Sequence, residues 1–203
     1  MLADTLWPSI DQHRLAEAIG GAFAKARGNA RVEKNHARRS LYWVTSLAGE
    51  FQELYRSVSD EVWVFTKGFA KDNGSIQKAF GLSELLYDVT VCRIANTSAA
   101  VAKRELAYVA EGLWAIESEF ARDARAAVRD FSKLVLSSAR FKLFVAPFVG
   151  PQQAFLRSLG PVANACNGTV YLCQIAHPSH WASEELSNPK LYEWHRDHWH
   201  SLS

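Results

Sequence analysis

The stretches Glu84-Leu-Leu-Tyr-Asp-Val-Thr-Val-Cys-Arg-Ile94 and Leu113-Trp-Ala-Ile-Glu-Ser-Glu-Phe120 decide the fold, because both have the pattern of a strand in one sheet. They are short and rich in β-branched and aromatic side chains, which favours strands over helices. Period-2 alternation places Asp88 on one face of the first strand and puts Glu117 and Glu119 together on one face of the second. The sequence therefore predicts that these carboxylates meet on one side of the sheet.

Acidic residues are depleted in strands, so this concentration of carboxylates needs an explanation. Like charges this close repel one another or raise one another's pKa, unless a divalent cation lies among them. We therefore predict a magnesium site at Asp88, Glu117 and Glu119. The structural alternative is a half-exposed sheet face on which the acids pair with neighbouring arginines.

The composition indicates one globular domain over residues 1–203. With 48% hydrophobic side chains, 203 residues suffice for a full core, and no linker is visible. The net charge of +2 argues against a polycation that binds nucleic acid through bulk charge. The chain lacks a signal-peptide pattern and a membrane-length apolar run. Its cysteines, which are Cys92, Cys166 and Cys173, are typical of core thiols in a reducing compartment. The expectation is a cytoplasmic protein without membrane contact.

Further periodic segments predict an α/β fold, with a central mixed five-stranded sheet flanked by helices. The predicted strands are 61–66, 84–94, 113–120, 141–146 and 169–176. The predicted helices follow a capping box at Ser9, span about 37–58 and 122–137, begin near Pro151, and close the chain. The long connection 95–112 is expected to contain a short helix or a flap. Within the domain, 1–36 is a helical and basic extension, 37–176 the core, and 177–203 a helical tail.

This order of elements, with one acid on the second strand and an acid-x-acid pair on the third, resembles the PD-(D/E)XK nuclease superfamily, the restriction-endonuclease-like fold. The resemblance covers roughly residues 37–176 and implies that Asp88 and Glu117 are catalytic residues that bind metal. It also implies a third metal ligand at Glu50 on the preceding helix, with Glu53 as the fallback. Glu119 stands where the superfamily usually has lysine, so the third motif is the E-x-E variant. Glu119 is there a catalytic candidate that would accept a proton from the attacking water or hold a second ion.

The missing lysine could come from elsewhere in the chain. Some members of the superfamily take it from the following helix, and Lys133 is the catalytic candidate there, with Lys103 as another possible cation. Helical spacing also permits a bland interpretation, in which Lys133 is a solvated residue beside Arg129.

The resemblance implies a Mg²⁺-dependent endonuclease that hydrolyses DNA, with Mn²⁺ as a possible substitute and a homodimer as a possible assembly. Basic side chains would contact the phosphates; the candidates are Arg31, Lys34, Arg38, Arg39, Arg122 and Arg129. Because of Glu119, an alternative is a catalytically inactive module of the same fold that binds nucleic acid or protein. A further, separate possibility is a zinc site at His195, His198 and His200. The alternative for these residues is a final helix that docks on the core.

Overall fold

The structure is a computed structural model, and it describes residues 11–56, 59, 61–67, 80, 82, 84–99 and 104–202. The α-helices are α1 Gln12–Ala30, α2 His36–Arg56, α3 Ala124–Phe131 and α4 Gln152–Ala165. The strands are β1 Val62–Thr66, β2 Val89–Ala99, β3 Arg104–Ser118, β4 Phe141–Pro147, β5 Thr169–Ile175, β6 Lys190–His195 and β7 His198–Ser201. Short 3₁₀ helices span Ser132–Leu136 and Pro178–His180.

The strands form one seven-stranded sheet in the order β1-β2-β3-β4-β5-β6-β7. β1, β2 and β3 pair antiparallel, β3, β4 and β5 pair parallel, and β6 and β7 return antiparallel. The expected α/β class and mixed sheet are confirmed, including the parallel pairing of the strands joined through helices. The expected count of five strands is wrong, because the tail adds two.

Alternation along β3 divides the core between the two faces of the sheet. Trp114 and Ile116 pack with α1 and α2, whereas Ala115 faces the layer built from α3 and α4. α2 is amphipathic, and its buried row includes Leu47 and Phe51, each of which contributes roughly 1.5–3 kcal/mol by burial. Glu117 takes its direction from this alternation, so it faces α3 with Ala115.

The described residues of the segment 95–112, which are 95–99 and 104–112, form strand instead of the expected helix or flap. Ala95–Ala99 continues β2, and 104–112 forms the first half of β3, so the two strands make a long hairpin. The register shifts between Val91 and Cys92 and between Arg93 and Ile94, which marks bulges. Cross-strand pairing overrides the local preference of the small residues in this segment for helix.

The C-terminal tail forms a hairpin and not the expected final helix. Trp194 of β6 lies opposite Trp199 of β7, and their rings meet edge to face at 5.0 Å between centroids. The connecting residues Arg196 and Asp197 have φ values of 48° and 65°, as a two-residue hairpin turn of type I′ requires. The alternating aromatic residues and this turn explain why strand prevails over helix.

Smaller differences occur at the element ends. The expected helix 122–137 is α-helical only as α3 and continues as the 3₁₀ helix Ser132–Leu136. α1 is capped by Asp11, whose side chain accepts a hydrogen bond from His13 N, while Ser9 lies outside the described residues. Across the described part of the chain, no helix is both long and apolar enough to span a membrane.

Candidate active site

Asp88 and Glu117 come together because β2 and β3 pair antiparallel. Val89 lies opposite Ile116, so Asp88, one residue before β2, lies beside Glu117. Asp88 Oδ2 accepts a hydrogen bond from the backbone N–H of Ser118 at 2.8 Å. Both carboxylates therefore lie at the end of β3, on one side of the sheet, as the alternation predicts.

Lys133 lies in the same cluster. Its Nζ is 3.1 Å from Glu117 Oε2 and 3.0 Å from Asp130 Oδ1. The Lys133 side chain is 50% exposed, whereas that of Glu117 is 4% exposed, so the ammonium group lies between a buried carboxylate and solvent. Lys133 is thus not merely a solvated residue beside Arg129.

Asp130 is the site residue that the sequence analysis missed. It lies on α3, one turn before Lys133, and its carboxylate contacts the same ammonium group as Glu117 does. The spacing Asp130-x-x-Lys133 is the pattern that could have indicated it, because residues three apart lie on the same side of a helical turn.

The pKa values of the two strand carboxylates reflect this crowding. Burial, followed by the negative charge of Asp88, raises the pKa of Glu117 to about 7, although Lys133 acts in the opposite direction. Burial also raises the pKa of Asp88, against the hydrogen bond from Ser118. Burial lowers the pKa of Lys133, but its bonds to Asp130 and Glu117 outweigh this and raise the pKa overall. Without a further cation, the cluster holds more negative charge than its surroundings favour.

Glu119 lies at the margin of the site, directed toward Asp130. Its Oε1 accepts a hydrogen bond from Ala121 N at 2.6 Å. Burial and a side-chain hydrogen bond with Asp130 raise the pKa of Glu119, and the same hydrogen bond lowers the pKa of Asp130. Glu119 and Asp130 are therefore neighbouring carboxyl groups whose pKa values are shifted in opposite directions.

The structure does not bring Glu50 to this cluster. Glu50 Oε1 is 2.8 Å from Lys25 Nζ, on the side of α2 that faces α1. α2 packs on the face of the sheet opposite Glu117, where Trp43 Nε1 donates to Ser118 Oγ at 3.0 Å. Glu50 follows two helical turns later, about 10 Å farther along the axis. Its expected role as a metal ligand is corrected, and the fallback Glu53 is ion-paired with Arg56 at 2.9 Å.

Arg39 is a buried structural residue and not a nucleic-acid contact. It is 6% exposed, and its guanidinium donates to the carbonyls of Glu33, Ala30 and Pro178 at 2.6, 2.9 and 2.8 Å. These bonds tie the start of α2 to the end of α1 and to the 3₁₀ helix Pro178–His180. The expectation of a phosphate contact at Arg39 is therefore corrected.

The other basic candidates are exposed. Arg31 and Lys34 lie between α1 and α2, and Arg38 is 3.4 Å from Glu33 Oε2. Arg122 follows β3, and Arg129 lies on α3 near Glu119 and Asp130, whose pKa values its charge lowers. The alternative cation, Lys103, lies outside the described residues.

The histidines of the tail lie on one face of the β6–β7 hairpin. The His198 and His200 rings are 4.0 Å apart between centroids, and those of His195 and His200 are 5.7 Å apart. Across the part of the chain that the structure describes, no group of three or more His, Cys, Asp or Glu side chains is placed to hold a metal ion. The tail hairpin therefore lacks support as a zinc site.

Because no three such side chains lie together among the described residues, the carboxylate cluster offers at most two direct protein ligands to a metal ion. Asp88 and Glu117 each engage one oxygen in a described hydrogen bond, which leaves the second oxygen of each carboxylate for a cation. Mg²⁺ is commonly bound through one or two carboxylates with water and substrate oxygens as the other ligands. The donor set fits Mg²⁺ on these terms.

The arrangement combines two hard oxygen ligands, one ammonium group and one pair of neighbouring carboxyl groups at the end of β3. These groups can hold a cation, stabilise a developing negative charge and transfer a proton. No protein-family model, curated protein sequence or solved structure matches the chain.

Proposed function

We propose that the chain is a Mg²⁺-dependent nuclease that hydrolyses DNA phosphodiester bonds at the cluster of Asp88, Glu117 and Lys133. The observation that carries the proposal is the contact of Lys133 Nζ with Glu117 at 3.1 Å. This contact places a cation next to the two carboxylates. In the usual third motif a lysine supplies that cation, and here Glu119 stands in the position of that lysine. The proposal includes a restriction-endonuclease-like fold for the sheet and its helices.

The chemistry needs a nucleophilic water and stabilisation of the charge that grows on the phosphoryl oxygens. Mg²⁺, when bound, polarises the phosphate and lowers the pKa of water. Asp88 and Glu117 would hold the cation, and the Ser118 N–H fixes the orientation of Asp88. Lys133 presents its ammonium group to a phosphoryl oxygen, while Glu117 and Asp130 keep it in position.

Glu119 and Asp130 supply the proton chemistry in this proposal. Because these two side chains share a hydrogen bond, the pair can take up or release a proton at the margin of the site. Glu119 therefore has a role that differs from that of the usual lysine.

The test is cleavage of supercoiled plasmid and single-stranded circular DNA with Mg²⁺. We expect cleavage by the wild type, and a loss of at least about 100-fold in the near-isosteric variants Asp88→Asn and Glu117→Gln. The matched control is Glu53→Gln, which changes an exposed, ion-paired glutamate and should leave the rate unchanged. Cleavage that survives in both site variants would remove the cluster from the mechanism.

The second candidate is an inactive module of the same fold that binds nucleic acid or protein. It is favoured by Glu119, which puts an acid where the superfamily usually has lysine. Calorimetric titration with Mn²⁺ separates the two functions. A nuclease should bind the ion in a manner that depends on Asp88, whereas an inactive module should show the same heats for the wild type and Asp88→Asn.

A further inference from the structure

A cavity of about 500 Å³ lies at the same edge of the sheet as the carboxylate cluster, beyond the carboxyl ends of β4 and β5. It is lined by residues that follow three parallel strands, among them Arg122, Phe148, Gly150, Ala176, His177 and His180. The crevice outside the carboxyl ends of parallel strands is where open α/β sheets bind ligands. The proposed nuclease mechanism makes no use of this cavity.

Arg122 is the principal cation of the cavity and is exposed. Its Nη2 lies 3.0 Å from His180 Nε2, so one of its donors contacts the imidazole while the others stay available. In the part of the chain that the structure describes, no carboxylate lies in ion-pair range of Arg122. The acidic lining residue is Glu185, which is exposed.

Further basic groups surround the cavity. His177 Nδ1 accepts from the backbone N–H of Ser179 at 3.1 Å, and its ring also bonds the backbone of Phe120, so the imidazole is held in place. Burial lowers the pKa of His177, and the charges of Arg122, His180 and His36 lower it further. Arg122 therefore supplies a permanent positive charge beside the imidazoles of His177 and His180, which favours an anion in this cavity.

Hydrogen bonds hold the Pro178–His180 turn, which carries His180, in position. The buried Arg39 donates from Nη1 to the Pro178 carbonyl at 2.8 Å, and the His177 side chain caps the turn. The cavity is thus built on a rigid support, which favours binding because little ordering is required.

Geometry connects the cavity with the carboxylate cluster. Arg122 follows Glu117 by five residues, β3 ends at Ser118, and Arg122 lines the cavity together with residues that follow β4 and β5. A nucleic-acid strand carries one phosphate per nucleotide, so a strand bound at the cluster has further phosphates along this edge. An arginine with several free donors suits such a group, because guanidinium binds phosphate in a bidentate manner.

We propose that this cavity binds a phosphate of the polynucleotide at a position other than the scissile bond, with Arg122 and His180 as its contacts. The identification of the ligand as a polynucleotide rests on the proposed nuclease function. The consequence is that the protein acts on chains that extend beyond the scissile bond, and that Arg122 acts in binding and not in bond cleavage.

The test measures oligonucleotide binding without cleavage. A fluorescent single-stranded or duplex oligonucleotide is titrated in EDTA against the Asp88→Asn, Glu117→Gln double variant at several salt concentrations. Adding Arg122→Gln should lower the affinity by about 10- to 100-fold and reduce the slope of log K against log salt by about 1. Adding His180→Asn should lower the affinity by a smaller factor.

The matched control adds Arg157→Gln, which changes an exposed arginine on α4 that lines a different cavity. It should change neither the affinity nor the slope by as much as Arg122→Gln. Equal effects of the two arginine changes, or no binding by the double variant at low salt, would overturn the phosphate site. These outcomes are separate from the nuclease assay: a wild type that binds through Arg122 but does not cleave removes the proposed activity and keeps the cavity.

Discussion

Glu117 carries the strongest electrostatic signature of the cluster. It is 3% exposed and lies beside Asp88, so its pKa is raised from 4.5 to about 7. Between these pH values, the folded state binds more protons at Glu117 than the unfolded state does. The free energy of unfolding therefore falls as the pH rises through this window.

We predict that Glu117→Gln removes most of this pH dependence in metal-free buffer. Between pH 4.5 and 7, Glu117 should lower the stability of the wild type by on the order of 2 to 3 kcal/mol. Urea unfolding in EDTA at several pH values measures the effect. The control Glu53→Gln, at an exposed position, should keep the wild-type slope, and parallel curves for the wild type and Glu117→Gln would contradict the account.

The ammonium group of Lys133 is the basis of a second prediction. Lys133→Met removes the charge that contacts Glu117 and Asp130, and we expect kcat for DNA cleavage to fall by about 10²–10³-fold. The KM should change less, because the charge is needed most as the phosphoryl oxygens gain charge. The measurement is steady-state cleavage of an oligonucleotide, with Lys67→Met as the exposed control. A fall of kcat in both variants would show that kcat depends on the total positive charge of the protein and not on Lys133 in particular.

The sequence predicts part of this site. Alternation in two strands is enough to bring Asp88 and Glu117 together, because antiparallel pairing fixes which residues face each other. Alternation in the strands does not decide whether Lys133 is a catalytic cation or a solvated residue. That choice depends on α3 changing into a 3₁₀ helix after Phe131 and on the docking of this segment against β3, which are matters of tertiary packing.

At the scale of elements, the turn before β5 depends on glycine. Gly168 has φ +72°, and a Cβ there would meet the Arg140 carbonyl oxygen, which also accepts the hydrogen bond from Thr169 N at 3.0 Å. We predict that Gly168→Ala lowers the free energy of unfolding by roughly 2 kcal/mol or more, because left-handed backbone and a backbone contact both oppose the side chain.

The matched control is Gly20→Ala within α1, where a Cβ has no neighbour within 4 Å. It should raise stability by roughly 0.5–1 kcal/mol, because alanine is the better helix former. Thermal unfolding of both variants gives the comparison. A Gly168→Ala protein as stable as the wild type would show that the turn adopts another conformation.

The sequence predicts elements well where a local pattern is strong and poorly where pairing decides. The strands at 61–66, 141–146 and 169–176 lie close to β1, β4 and β5, since each is a short apolar run bounded by turn residues. The hairpin extension at 95–112 and the β6–β7 tail were missed. Their local composition permits helix, and cross-strand partners distant in sequence outweigh that preference.

At the scale of the whole molecule, the features that we assign to function gather at one edge of the sheet. The carboxylates lie at the end of β3, and the basic cavity lies beyond the ends of β4 and β5. Helices pack on both faces of the central strands, and at this edge strand ends, backbone groups and charged side chains meet solvent. Because β3, β4 and β5 pair in parallel, their carboxyl ends lie at the same edge of the sheet. The proposed nuclease site and the proposed phosphate site therefore lie side by side.

The most direct measurement of the central claim is a crystal of the wild-type protein soaked in Mn²⁺ and recorded at a wavelength with anomalous manganese scattering. We predict a peak between Asp88 and Glu117, roughly 2.0–2.3 Å from one oxygen of each carboxylate, because a cation offsets the burial and the nearby negative charge that raise the pKa values of these two groups. The peak should be absent from the Asp88→Asn variant. A wild-type crystal with no peak there, and with Lys133 still paired with Glu117, would contradict the account.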